Sequence, residues 1–264
     1  MHRFFLEGAT PGADGRMDLS PLCHQLAHVL RLRPGAEVAV LDNRGHGWRV
    51  ELASLDRRRA DGVVLATLDA APEPAARVHL YQCSLKTDKL EWVWQKATEL
   101  GAATLTPVVS GRSIVREPAA LDKKRPRWDA IVREAAEQCG RGRVPVIAPA
   151  VDLATALHDA TGLRLMPWEG TGQPDALSGL LDALAATGDL PTQVSLLIGP
   201  EGGLAAEEAQ MAPAAGWRLV KLGPRILRAE TAALASLSLL MGAYGELGGV
   251  AAVGTPTAGE FDAG

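Results

Sequence analysis

Residues 195–210 read SLLIGPEGGLAAEEAQ. A short, mostly apolar strand runs into Gly199, Pro200, Glu201, Gly202 and Gly203, and a helical pattern carrying Glu207 and Glu208 follows. Strand, glycine corner and helix in that order belong to an α/β protein with a parallel sheet, and such corners lie where open sheets bind ligands. A corner built for phosphate would not place Glu201 among its glycines, because two anions repel. The ligand at this corner has to tolerate a carboxylate.

The same alternation extends outward. Apolar runs predict strands at 78–83, 104–109, 163–167, 194–198 and 218–222, and 3.6-residue periodicity predicts helices at 89–100, 128–139, 177–186 and 205–215. Residues 231–242 form a further helix with no charged face, which needs cover on every side. Either the domain supplies that cover or a second subunit does, and a place late in the chain favours a homodimer interface. Upstream the pattern is β-rich. Residues 37–41 and 47–52 make a hairpin around Asp42, Asn43, Arg44 and Gly45, and 62–68 is another strand. Residues 20–32 read as a helix with Leu22, Leu26, Val29 and Leu30 on one face. Pro72 and Pro74 mark a linker. The expected division is a small β-rich domain at 1–72, an α/β domain at 73–250, and a flexible tail without periodicity at 251–264.

Composition narrows the class. A chain of 264 residues with 47% hydrophobic content has enough apolar surface for real cores. The first residues reach charge too early for a secretory signal, and the apolar run at 232–243 is too short for a membrane span. Cys23, Cys83 and Cys139 are odd in number and far apart, which predicts no disulfide framework and a cytoplasmic home. His24 and His28 stand four apart without a third ligand nearby, so no metal site is expected. The net charge is −4, yet residues 112–143 carry nine basic and five acidic side chains, a local excess of +4. Such a stretch suits a polyanion met from one side, or equally a solvated helix face.

Gly170, Thr171 and Gly172 offer a Rossmann-like turn, but Gln173 and Pro174 follow and a third glycine is missing at the needed spacing. Neither a Walker A sequence nor a nucleophile elbow is present. A second glycine loop does follow a strand, at 222–231, with the sequence LGPRILRAET. Two loops of matching chemistry within thirty residues predict one shared site.

Read together, IGPEGG at 198–203 and LGPRILRAETAAL at 222–234 closely resemble the RsmE family, the small-subunit rRNA uridine N3-methyltransferases of the knotted SPOUT class. KTDKLEWVWQKATELG at 86–101, SIVR at 113–116 and EAAEQCGR at 134–141 are similar to the same family, and HVLRLRPG at 28–35 is similar to its PUA-like domain. The resemblance covers most of residues 1–243. One departure is Ala229, where relatives often carry a hydroxyl residue.

This resemblance implies a SPOUT-type parallel sheet with a C-terminal deep trefoil knot behind an N-terminal PUA-like domain. It implies a homodimer that binds S-adenosyl-L-methionine against Gly199, Pro200, Glu201, Gly202, Leu222, Gly223, Ile226 and Leu227, with Leu165, Met166 and the loop that follows them alongside. Adenosine is neutral and the sulfonium is cationic, so the carboxylate of Glu201 is no liability there. The implied reaction methylates N3 of a uridine in the decoding region of 16S rRNA, preferably on the assembled small ribosomal subunit. Arg228, with Arg225 as the alternative, would stabilise the uracil oxyanion, and Glu201 or Glu230 would take the proton. Arg3, His28, Arg31, Arg33, Arg112, Arg116, Arg141 and Arg143 are the expected RNA contacts. Two other readings stay open: a SPOUT enzyme acting on another RNA such as tRNA, and a non-catalytic ribosome-assembly factor.

Overall fold

The computed structural model describes residues 1–170 and 174–248. The expected tail at 251–264 and most of the Gly170–Gly172 turn lie outside the described residues.

Strands β1 (His2–Phe5), β2 (Arg16–Asp18), β3 (Glu37–Leu41), β4 (His46–Leu55) and β5 (Ala60–Asp69) make one sheet in the order β1-β3-β4-β5-β2. β3 and β4 are the hairpin that the Asp42–Gly45 turn predicts, with Val40 opposite Trp48 and Leu41 opposite Gly47. Asn43 and Gly45 adopt positive φ of 62° and 104° there, as such turns require. The Asp42 carboxylate accepts the backbone N–H groups of Arg44 and His46 at 2.7 and 3.0 Å. β1 adds parallel to β3. Phe4, Leu19, Leu26, Val38, Val40, Val50 and Leu52 fill the core behind this sheet.

The helix expected at 20–32 is corrected. It splits into a 3-10 turn at Ser20–Leu22, begun by Pro21, and a single π-helical stretch at His24–Val29. Leu30 N–H reaches back five residues to Gln25 O at 3.0 Å, and Arg31 takes a positive φ of 53°. The wider turn breaks the 3.6-residue register. Leu22 and Leu26 stay buried while Val29 is turned out to solvent.

The second sheet comprises β6 (Arg77–Cys83), β7 (Thr104–Val109), β8 (Val146–Ile147), β9 (Val151–Asp152), β10 (Leu163–Pro167), β11 (Gln193–Ile198) and β12 (Arg218–Val220). Its order is β12-β10-β11-β6-β7-β8, with β9 also on β7, and every pairing is parallel. The helices are α1 (Thr87–Glu99), α2 (Pro118–Asp122), α3 (Arg125–Cys139), α4 (Leu153–Asp159), α5 (Leu177–Thr187), α6 (Ala206–Ala214) and α7 (Ala229–Ala243). Successive strand residues feed opposite faces. Leu80, Leu165 and Leu196 pack with α1, α3, α5 and α7, whereas Tyr81, Met166 and Leu197 pack with α4 and α6. Burial on both faces explains why these strands read as near-continuous apolar runs. Trp94 of α1 and Trp128 of α3 meet edge to face at 6.1 Å inside the larger core.

The strand order brings the two glycine loops together. β10 lies between β11 and β12, so the chain passes from β11 across to the edge before it turns back. At that edge Lys221 N–H donates to Asp175 O at 3.0 Å and Lys221 O accepts from Leu177 N–H at 2.9 Å. The chain then returns, and α7 packs against α1, α5 and β11. One face of α7 (Ala233, Ser236, Leu237, Leu240, Met241) is buried in the core, while Leu239 and Gly242 are exposed on the other. The helix is therefore half covered by its own chain.

α3 and the segment after it join the two sheets. Phe5 N–H donates to Glu137 Oε1 at 3.0 Å, Arg133 reaches Glu7 at 2.9 Å, and Val144 N–H donates to Asn43 Oδ1 at 2.7 Å. Burial pushes the Glu137 carboxyl above its ordinary range, against the opposing pull of Phe5 N–H and Arg133.

Candidate active site

Gln193–Ile198 is fully buried beyond its first residue, and the chain must leave it sharply to start α6. Gly203 makes this corner with φ of 67° and donates to Pro200 O at 2.9 Å. Glu208 completes the turn into α6 by accepting Ala205 N–H at 2.8 Å. At Gly199 a Cβ would sit 3.2 Å from Leu204 Cγ, which leaves little room for a side chain. The second loop leaves β12, passes Gly223 at φ of 127°, and enters α7 with Arg228 as N-cap.

The loops face each other across two adjoining clefts of about 230 and 260 Å³ that share Pro167, Trp168, Glu169, Ile226, Leu227 and Ala232 as walls. Gly199, Pro200, Glu201, Leu222, Gly223, Ile226, Leu227 and Arg228 line them, and Arg225 lines the cleft beside Leu222. Ile226 is 82% exposed, an unusual position for a large apolar side chain. Gly202 is outside this lining; its carbonyl accepts from Arg112 Nη1 at 3.0 Å. Leu165 and Met166 are corrected as cleft residues. Both are fully buried, one in each core, and the wall is built by the three residues that follow them.

Pro167, Trp168 and Glu169 belong to the loop after Met166 that the resemblance sets beside the cofactor, though it singles out none of the three. Their position just past the carboxyl end of a parallel strand was the available signal. Lys89 was also missed. Its ammonium lies 3.1 Å from Glu230 Oε1 and 3.8 Å from Glu201 Oε1 on the cleft wall. Glu230 thus pairs with Lys89 rather than with Arg228. Burial works against the ionisation of Glu230, but its own backbone N–H, Lys89 and the charge of Arg228 outweigh it and hold the carboxyl below its usual range. One Glu230 oxygen, Oε2, is buried without a hydrogen-bond partner.

The expected RNA contacts divide. Arg3, His28, Arg31, Arg33, Arg112, Arg116 and Arg143 are exposed. The Arg3 guanidinium of β1 lies against Gly140, at the end of α3 and three residues before Arg143. Arg116 donates to Gly111 O and Arg143 to Arg44 O, each with charge left toward solvent. Arg141 is removed from the set. It is 6% exposed, with its guanidinium paired to Glu73 and donating to Thr98 O and Ala102 O at 3.0 and 2.8 Å. A buried charge needs such partners, and four of the five guanidinium N–H groups are spent inside the protein.

Comparison with known proteins places this geometry. The RNA methyltransferase domain family matches residues 71–241, and the RNA methyltransferase PUA domain family matches residues 26–65. The chain is 32% identical over 222 residues to the ribosomal RNA small subunit methyltransferase E of Bacillus subtilis (strain 168), covering 82% of this chain and 86% of that protein. It is 34% identical over 224 residues to the protein of the same name from Synechocystis, covering 83% of this chain and 71% of that one. Among solved structures, a ribosomal RNA small subunit methyltransferase E from Neisseria gonorrhoeae, bound to S-adenosyl methionine, superposes with a TM-score of 0.78 at 30% identity, covering 92% of this chain and 97% of that one. Matched over most of its length by a domain family, by named relatives and by a solved backbone, the chain belongs to the ribosomal RNA small subunit methyltransferase E family.

Proposed function

We propose that the protein methylates N3 of a specific uridine in the decoding region of 16S rRNA, with S-adenosyl-L-methionine as donor and the assembled small subunit as preferred substrate. The observation that carries this reading is the convergence of two glycine loops on clefts walled by carboxylates and apolar side chains. Glu169 and Glu201 make the clefts unfit for a phosphate and fit for a neutral nucleoside joined to a cation. Leu227, Ile226 and Pro167 supply the apolar wall for an adenine.

S-adenosyl-L-methionine, when bound, supplies an electrophilic methyl group on a cationic sulfur. The chain has to position, polarise and deprotonate. Backbone groups of Gly199, Leu222 and Leu227 hold the adenosine. Arg228, exposed at the N-cap of α7, donates to the uracil oxygen where negative charge develops. Glu201 lines the cleft and accepts the N3 proton, because Glu230 is the nearer partner of Lys89, at 3.1 against 3.8 Å, and its carboxyl is held below its usual range. N3 lies on the pairing edge, so the uridine is turned out of its helix to reach this wall. Alignment of the reactants contributes on the order of 7–11 kcal/mol in favourable cases.

In this reading residues 1–72 are the PUA-like RNA-binding domain and residues 73–250 the catalytic domain. The return of the chain from β12 past residues 175–177 is the threading of a deep trefoil knot. Leu234, Ala235 and Leu239 on the uncovered side of α7 meet their counterparts in a homodimer. Arg3, His28, Arg31, Arg33, Arg112, Arg116 and Arg143 contact phosphates, and the ribosomal substrate places the work in the cytoplasm.

The test is transfer of labelled methyl to unmodified small subunits, followed by digestion of the rRNA to nucleosides. Label in 3-methyluridine is the expected result. Label in another nucleoside overturns the target, and cofactor binding with label only in tRNA moves the enzyme to another RNA.

A further inference from the structure

Lysine is rarely buried, and a cation in the first turn of a helix sits at the positive end of the helix dipole. Lys89 does both. It occupies the first turn of α1, its side chain is only 28% exposed, and it turns toward two carboxylates from different parts of the chain. Glu230 Oε1 is 3.1 Å away and Glu201 Oε1 3.8 Å away. Glu201 Oε1 also accepts the backbone N–H of Lys86 at 3.1 Å, so the first glycine loop serves as a cap for the start of α1. Glu230 is 15% exposed and stands two residues into α7, next but one to Arg228.

Other ion pairs of α1 are of a different kind. Lys96 and Glu99 pair at 2.7 Å along the helix itself, and Glu91 pairs with Arg127 of α3 at 2.6 Å. Lys89 instead joins three segments at the cleft wall: α1, the first glycine loop and the root of α7. No backbone hydrogen bond of the sheet ties that loop to that root, since β11 is followed at once by Gly199 and α7 begins only after the 222–228 loop. The ammonium supplies the link.

We propose that Lys89 is a positioning residue for methyl transfer, bridging Glu230 and Glu201 so that Arg228 on α7 is held in register with the first glycine loop. The proposal rests on the methyl-transfer reading above. Lys89 touches neither reacting atom in this scheme. It sets where the guanidinium of Arg228 and the carboxylate of Glu201 stand relative to one another. It also keeps Glu230 ionised, together with Arg228, so that the root of α7 carries a fixed negative partner.

The experiment compares wild type, Lys89→Met, Lys89→Arg and, as a surface control, Lys96→Met. Single-turnover methylation of unmodified small subunits is followed at saturating donor across pH 5–9, with donor binding by calorimetry and thermal unfolding in parallel. A misplaced group in an aligned site costs on the order of 100-fold in rate. That loss is expected for Lys89→Met, with donor affinity and unfolding midpoint little changed and most of the rate recovered in Lys89→Arg. The acid limb of the rate profile should also move to higher pH in Lys89→Met, because Glu230 then faces Arg228 alone among the cations described. An unchanged rate in Lys89→Met overturns the proposal while leaving the methyl-transfer reading in place. So does a rate loss that tracks a lower midpoint at every pH and is not recovered by arginine. If wild type forms no labelled 3-methyluridine, the underlying reading falls and this proposal falls with it.

Discussion

Gly111 donates its backbone N–H to Glu208 Oε1 at 2.7 Å, and the other oxygen of the same carboxylate accepts Ala205 N–H at 2.8 Å. One side chain therefore starts α6 and anchors the loop that carries Arg112 and Arg116. Arg112 returns a bond to Gly202 O, closing a ring between the loop after β7 and the first glycine loop. Glu208→Ala removes both anchors. Loss of the cap alone should lower stability by about 1 kcal/mol. The KM for small subunits should rise more than the donor Kd, which steady-state kinetics with each substrate varied will read.

Arg141→Met should be the most destabilising single change at the joint between the sheets. It strips the partner from Glu73, takes the donor from Ala102 O and leaves Thr98 O with only the Gly101 N–H. Breaking a buried pair of this kind costs about 3–5 kcal/mol, to be measured by urea unfolding. Arg143→Ala, two residues on and exposed, should leave stability within about 0.5 kcal/mol. Its effect should appear in RNA binding, with the salt slope reduced by about 1.

Arg228→Ala should lower the rate of methyl transfer on the order of 100-fold with donor binding nearly unchanged, as for removal of one donor to a developing oxyanion. Single-turnover rates and calorimetry separate the two. A parallel fall in donor affinity would assign Arg228 to cofactor binding instead.

His79 sits mostly buried between Tyr81, stacked at 3.9 Å, and Thr106 Oγ1 at 2.6 Å. Burial lowers its pKa to about 4 from 6.5. The unfolded chain therefore takes up a proton as pH falls below 6.5 while the folded chain does not, and stability is lost progressively between pH 6.5 and about 4. The loss at pH 5 should be about 2 kcal/mol. In His79→Gln the unfolding free energy should be flatter between pH 7 and 5, and an unchanged slope would assign the acid sensitivity elsewhere.

Strands buried on both faces were legible because apolar residues dominate them; Thr104–Val109 and Leu163–Pro167 match the expected limits residue for residue. The strand expected to reach Leu222 stops at Val220, because Lys221 leaves the sheet to bond residues 175 and 177. β8 and β9, of two residues each, are too short for periodicity to register. Residues 20–32 misled because an apolar face at helical spacing does not report how many residues each turn contains. Charges misled most. A sequence shows that Arg141 is cationic but not that two carbonyls and a carboxylate surround it, and it shows Lys89 as one more lysine on a helix. Both facts depend on contacts between segments far apart in the chain.

The acidic corner has a consequence for the choice among adenosine-bearing molecules. ATP carries the same adenosine as S-adenosylmethionine, so shape alone would let it compete for the adenine wall. Its triphosphate would then have to lie against Glu201 and Glu169, both on the rim of the cleft. Titrating ATP against bound donor in wild type and in Glu201→Gln will read this directly, with competition expected to strengthen once the charge is gone. On this view the glutamate within the glycine loop acts as a sieve. It lets the enzyme find a scarce sulfonium among abundant nucleotides by repelling what the rest of the pocket would accept.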